Sequence, residues 1–299
     1  MIFNQKLNSI TRIIVGIVFF VSAISKLISI DSFEIYIYGF GILKLNVAFF
    51  LARFIISLEI FFGVLLIVGI YIKKVILASI MMLSVFCAFI LFLFLTENNE
   101  HCHCFGEIEI SHELSLLKNI LLVALLLMSY HSHNSKFKYH KYVLIILFIC
   151  SILLPLIISP PDSLFYNEYS KRVTYNQFVF DEYLKENIQF GKGNIMLCFF
   201  STGCQFCKLA AKKVSVMAKN VNEANDVSFV FANSHVSVDK FLRESNSTNF
   251  HYSFITPKRF LEITNGEMPL IIFLEDGNIK AKYGYRDINE YEFIKFMKN

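Results

Sequence analysis

The sequence predicts an α-helical membrane bundle of four helices, joined through a fifth helix to a soluble α/β domain. Three observations carry this. Hydrophobic residues make up 55% of the 299, and the mean hydropathy of +0.54 is above that of ordinary soluble chains. The excess lies in the first half, in five apolar stretches separated by short polar connections. The second half changes to mixed composition and holds a Cys-x-x-Cys between a strand-like and a helix-like run. The net charge of +4 is small and spread out, so no basic surface for nucleic acid is expected.

The first apolar stretch, residues 10–30, is long enough at about 1.5 Å per residue to cross a bilayer. The second covers about 47–71 and the third about 75–95. The fourth (114–128) and fifth (142–159) are shorter. No small-x-small cleavage site follows the first stretch, which argues against a removed signal peptide. Lys6 and Arg12 stand at the start of the first span. Lys73 and Lys74 join the second to the third, and Lys136, Lys138 and Lys141 precede the fifth. The opposite connections hold Lys44, and residues 97–113 have no Lys or Arg. Basic residues favour the cytoplasmic side. The expectation is a multi-pass protein of the inner (cytoplasmic) membrane, its N-terminus cytoplasmic and its C-terminal domain periplasmic. The expected domains are a membrane domain at 1–130, a basic loop and fifth span at 131–160, and an extracytoplasmic domain at 161–299.

In the soluble half, residues 181–189 read as a helix and 194–200 as a buried strand. Cys204 and Cys207 follow, then a helix over 209–219. This spacing puts Cys204 at a helix N-terminus, where free N–H groups and the helix dipole favour a thiolate. Two thiols a turn apart also exchange two electrons and two protons as a pair. A zinc site needs four ligands, and this half has no second Cys-x-x-Cys. Cys198 reads as a buried apolar residue of the strand. Residues 226–232 read as a strand, 238–244 and 258–264 as helices, and 269–274 as a strand. Glu275-Asp276-Gly277-Asn278 turns the chain into a second strand at 279–285, and 288–297 forms a closing helix.

This order resembles the thioredoxin fold. The resemblance implies that Pro269, after Met268, is the cis-proline facing the cysteine pair and lining the groove where a partner's cysteine docks.

The membrane half has its own pair, Cys102-His103-Cys104, expected on the same side as the soluble domain. Three readings stay open: a strained loop disulfide, a soft-metal site and a redox pair exchanging with the soluble domain. Gly16-x-x-Phe19-x-x-Ser22-x-x-Ser25-Lys26-Leu27 and Glu59-x-x-x-Gly63-x-Leu65-Leu66-x-x-Gly69 resemble DoxX/MauE-type redox-associated membrane proteins. Leu117-Lys118-Asn119 is similar too, and Cys102-His103-Cys104-Phe105-Gly106 resembles the Cys-Gly-Cys-Phe-Gly of MauE, with His103 in place of the Gly. The resemblance spans residues 10–130. It implies a part in periplasmic disulfide formation beside a thioredoxin-like partner, here fused in one chain.

The expected function is thus a membrane-bound thiol–disulfide oxidoreductase. Periplasmic cysteine-containing proteins pass electrons to Cys204 and Cys207, Cys204 taking the mixed disulfide and Cys207 resolving it. Cys102 and Cys104 follow, and a membrane quinone, the one cofactor expected, is the acceptor. Neither a covalently bound cofactor nor a metal is expected. Lys26, Glu59 and Asn119 are the candidate quinone-binding residues, because ionisable residues inside spans face a bundle interior or polar cavity. A snorkelling Lys26 and a structural ion pair of Glu59 with Arg53 is the plainer alternative. Cys87 and Cys150, single residues in their spans, make a weak case for an intramembrane pair. A reductase serving cofactor or cytochrome assembly, and a soft-metal carrier, are the competing functions.

Overall fold

The computed structural model describes residues 2–95, 102–105, 108–110, 112–131, 140–221, 226–232 and 235–298. The chain divides into two compact units, Met1–Glu34 with Phe50–Pro160, and Ile35–Phe49 with Pro161–Asn299.

The helices of the first half are α1 (Ile2–Ile28), α2 (Ile30–Gly39), α3 (Leu45–Val68), α4 (Ile72–Leu95), α5 (His112–Met128) and α6 (His140–Ile158). Among the described residues, four stretches are long and apolar enough to cross a membrane: Leu7–Ile28, Leu45–Val68, Ile72–Phe92 and His140–Ile158. The fourth expected span is α5, of 17 residues, about 25 Å long. It is patterned inside out relative to a soluble helix. Ser115, Asn119, Leu122 and Leu126 are buried, while Leu114, Leu117, Ile120, Leu121 and Leu127 face outward. Helix α2 was not expected. The first span ends at Ile28, Ser29 bonds back to the Ser25 carbonyl, and a separate helix begins.

Helices α1 and α3 cross at glycines of the family-like pattern. A Cβ on Gly16 would lie 2.8 Å from the Gly63 carbonyl, and one on Gly63 would lie 3.0 Å from the Gly16 carbonyl. Small residues at such a crossing let backbones approach where lipid supplies no hydrophobic drive between helices. Gly69 is needed for two reasons. Its φ is +82°, and a Cβ there would strike the Arg12 guanidinium. That buried guanidinium donates to the Leu66 carbonyl and so satisfies the last turn of α3.

Between α4 and α5, residues expected as loop include a short antiparallel ladder. It pairs β1 (Cys102–Phe105) with β2 (Ile108–Ile110), Cys102 opposite Ile110.

The second unit contains a five-stranded sheet in the order β5-β4-β3-β6-β7. The strands are β3 (Asn194–Phe200), β4 (Val227–Ala232), β5 (His251–Ile255), β6 (Leu270–Glu275) and β7 (Asn278–Tyr283). Strands β3, β4 and β5 are parallel, and β6 and β7 return antiparallel. The central β3 is buried from Met196 to Phe200, because helices cover both of its faces, which is why it reads as an unbroken apolar run. One face packs Leu197, Phe199 and Ile272 with Phe180 and Tyr183 of α8 (Gln177–Glu186) and Phe260 and Ile263 of α11 (Pro257–Thr264). The other carries α9 (Gln205–Val221), α10 (His235–Glu244) and α12 (Glu290–Met297); Phe241 of α10 lies 5.2 Å from Phe231. A β3–α9–β4 crossover followed by the β6–β7 hairpin and α12 is the thioredoxin-like arrangement.

Local signals set the boundaries. Asn176 caps α8 by accepting from the Val179 N–H, so that helix starts before the expected residue 181. Thr256 caps α11, with Pro257 in its first turn. Asp276 (φ +49°) and Gly277 (φ +76°) make the two-residue hairpin turn, and positive φ at both central positions suits the strand twist. In this unit the strand β5 and the helix α7 (Tyr166–Arg172) were not expected either.

Candidate functional site

Strand β3 delivers the chain to the turn Ser201-Thr202-Gly203, and α9 begins at Gln205. Cys204 caps that helix. Its carbonyl accepts from the Lys208 N–H at 3.2 Å. Cys204 is half-buried and Cys207 fully buried, both as free thiols. The Cys207 backbone N–H donates to the Cys204 sulfur at 3.3 Å. A hydrogen bond from the Cys207 thiol does most to lower the Cys204 thiol to about 6, helped by the N–H groups of Cys207 and Phe206. Partial burial opposes this. Burial, and then the bond it gives Cys204, push Cys207 well up. The outer thiol is therefore the thiolate, and the inner one keeps its proton.

Alkylation of Cys204, followed on its own peptide, is expected to rise with pH through a midpoint near 6 and to be flat above about 8. The ordinary thiol midpoint is 9.0. Cys207→Ala removes the largest contribution, so its midpoint should move up toward the ordinary value. Cys207→Ser keeps a hydroxyl donor and should move less. No shift in the alanine variant would contradict this origin of the thiolate.

The Met268–Pro269 bond is cis. Pro269 lines a groove of about 370 Å³ with Phe206, Met268, Tyr285, Asp287 and Arg172 among its walls. Phe206, between the two cysteines, packs on Tyr285 at 5.3 Å between ring centroids. Tyr285 is in turn fixed by the fully buried Lys213, which donates to its carbonyl at 2.9 Å and lies 4.2 Å from its ring centroid. Tyr285 and Asp287 line the groove without having been expected there from the sequence, and Lys213, equally unexpected, supports it from behind Tyr285. The last strand was expected to run to residue 285, whereas β7 stops at Tyr283 and the chain turns.

In the first unit the backbone of Cys102 and Cys104 forms β1; their side chains lie outside the described residues. The ladder lies against α1 and α5. Since β2 precedes α5, the ladder stands at the N-terminal end of that helix, about two turns before Lys118 and Asn119.

Lys26 and Glu59 are brought together. The Lys26 ammonium donates to Glu59 Oε1 at 2.6 Å, Glu59 Oε2 at 2.8 Å and Ser22 Oγ at 2.8 Å. All three residues are buried. This corrects two expectations. Lys26 does not snorkel, and the partner of Glu59 is Lys26, because Arg53 pairs with Glu34 at 2.9 Å and caps the carbonyls of Ser159 and Pro160. Asn119 is buried on α5 and hydrogen-bonds the Cys87 thiol. Lys118 beside it is within electrostatic reach of Lys26, Glu59 and Cys87. Cys87 thus has polar company that its own span did not reveal. Cys150 is an exposed free thiol.

Quinone oxygens need hydrogen-bond donors. The three N–H groups of Lys26 are all engaged, so direct contact from Lys26 would break an existing bond. Helix α5 offers donors instead. Ser115, one turn before Asn119 on the same face, is fully buried with no partner for its Oγ among the described residues. The residues present fit such a group, with Ser115 and Asn119 as donors and Lys26–Glu59 as a nearby fixed pair.

Residues 4–131 match the family model of methylamine utilisation protein MauE, so the N-terminal part of the chain is similar to that family over its apolar helices. The chain is 21% identical to Protein TlpB of Flavobacterium psychrophilum, over 96% of this chain and 93% of that protein. Two solved structures are similar to the C-terminal part, each covering 37% of this chain at a TM-score of 0.31. One is the thioredoxin domain of a thiol-disulfide oxidoreductase from Bacteroides vulgatus, 18% identical and 83% covered. The other is a secreted Mycobacterium tuberculosis disulfide oxidoreductase homologous to E. coli DsbE, 14% identical and 84% covered. The long apolar helices and the strand order of the sheet, with its β3–α9–β4 crossover, make the chain a multi-pass membrane protein with a thioredoxin-like domain.

Proposed function

We propose that this protein is a thiol–disulfide oxidoreductase that takes electrons from cysteines of proteins outside the cytoplasm. The observation that carries the reading is the Cys204 thiolate at the head of α9, held by Cys207 and beside the Pro269 groove. Those contacts stabilise the reduced pair and so make its disulfide the more oxidising.

The exchange begins with the disulfide form. A partner thiolate attacks the Cys204 sulfur, the Cys204–Cys207 bond breaks, and Cys207 leaves and takes up a proton. The partner's second thiolate then attacks its own sulfur in the mixed disulfide, releasing Cys204 as thiolate. The expected resolving role of Cys207 therefore belongs to the other half of the cycle. Cys204 attacks an oxidised Cys102–Cys104 pair, and Cys207 displaces the loop cysteine and restores the Cys204–Cys207 disulfide. Each half moves two electrons and two protons. A membrane quinone would supply the final two-electron acceptor, held by Asn119 and Ser115.

The lysine distribution supports an inner-membrane protein with its N-terminus in the cytoplasm and residues 161–299 in the periplasm. Residues 1–130 are then the electron-accepting domain and 131–160 the connection. A reduced dithiol peptide mixed with the oxidised full chain should be converted to its disulfide at about two equivalents per chain, one for each oxidised cysteine pair. The Cys204→Ser protein should convert none. Equal conversion by both would overturn the reading.

A further inference from the structure

The groove beside Pro269 holds a carboxylate that is only half used. Asp287 is 2% exposed. Its Oδ1 accepts from the Gly284 N–H at 2.7 Å, while its Oδ2 is buried with no hydrogen-bond partner among the described residues. Two of the nearby cations are committed elsewhere, and Arg172, on the same groove wall, does not hydrogen-bond this oxygen. Arg286 pairs with Asp162 at 2.7 Å, and Lys213 donates to the Tyr285 carbonyl. An oxygen of this kind costs free energy unless a donor reaches it, and Asp287 is part of the groove wall. Phe206 and Met268 add apolar surface to the same lining. An aliphatic stem ending in a cation matches this combination, the stem lying on the apolar wall and the charge reaching the carboxylate.

We propose that Asp287 is a specificity residue that accepts a hydrogen bond from a lysine or arginine next to the reactive cysteine of the partner protein. The partner is thus a protein segment, extended along Pro269, with a basic residue beside its cysteine. This rests on the thiol-exchange reading and adds the sequence that the groove selects.

The test uses the full chain with Cys207→Ala and peptides whose single cysteine carries thionitrobenzoate. The Cys204 thiolate attacks the peptide sulfur, a new disulfide forms, and coloured thionitrobenzoate leaves. Three peptides differ only beside the cysteine, which carries Lys, norleucine or Glu, and the rate with Cys204→Ser protein is subtracted. The lysine peptide should react about tenfold faster than the norleucine peptide, equivalent to about 1.4 kcal/mol, with the glutamate peptide slowest. Asp287→Asn keeps an oxygen for the Gly284 N–H and should erase the lysine advantage. Equal rates for the three peptides with Asp287 intact overturn the proposal, whether or not the asparagine variant folds. A lysine advantage that persists in Asp287→Asn overturns it as well. No reaction with any peptide would instead remove the thiol-exchange reading beneath it.

Discussion

Replacing Cys102 or Cys104 by serine is expected to convert the Cys204–Cys207 pair in cells from mostly oxidised to mostly reduced. A loop with one thiol cannot close a disulfide, so it cannot return the thioredoxin-like pair to its oxidised form, while partner proteins go on reducing it. The effect should be nearly complete and equal for the two variants, because each removes half of a two-electron couple. Cys87→Ser, which leaves both pairs intact, should not reproduce it. An unchanged oxidised fraction in either loop variant would mean that the pair is re-oxidised by another route.

The second large effect concerns Lys26 and Glu59. Both are buried, and their direct contact at 2.6 Å is the main compensation for taking them out of water. Removing one partner leaves a buried charge uncompensated, at a cost on the order of 3–5 kcal/mol. Lys26→Met and Glu59→Leu should each sharply reduce the amount of folded protein recovered from membranes. The double replacement should recover most of it, since well-packed apolar side chains often substitute for a buried pair without loss. Single variants as stable as the parent would show that the pair is not holding α1 to α3. Ser22, which also accepts from Lys26, should matter less, because its loss leaves the ion pair in place.

What could be read ahead of the structure was local. The Cys-x-x-Cys, its strand and its helix are contiguous, and the Asp276-Gly277 turn is set by two residues that tolerate positive φ. Pro269 could be placed because it opens the strand after α11. Tertiary choices were not legible. Arg53 is nearer in sequence to Glu59 than Lys26 is, but six residues along a helix turn it to a different face, and the crossing at Gly16 and Gly63 brings α1 to Glu59 instead. Asn119 beside Cys87 depends on α4 packing against α5. Strand β5, with a mostly exposed or half-buried pattern, carries no strong apolar signal and exists through its pairing with β4. Asp287 looks like a surface residue in sequence, and only the turn after β7 buries it.

Electron flow out of the protein is tested most directly by trapping the thiols of Cys204 and Cys207 in living cells by alkylation, with and without a block in quinone synthesis. The expected result is a pair that is oxidised in untreated cells and becomes reduced under the block. A pair that is reduced in both conditions would contradict oxidation through a quinone and would make the protein a reductase supplied from elsewhere. A pair that stays oxidised under the block would assign the electrons to a different acceptor.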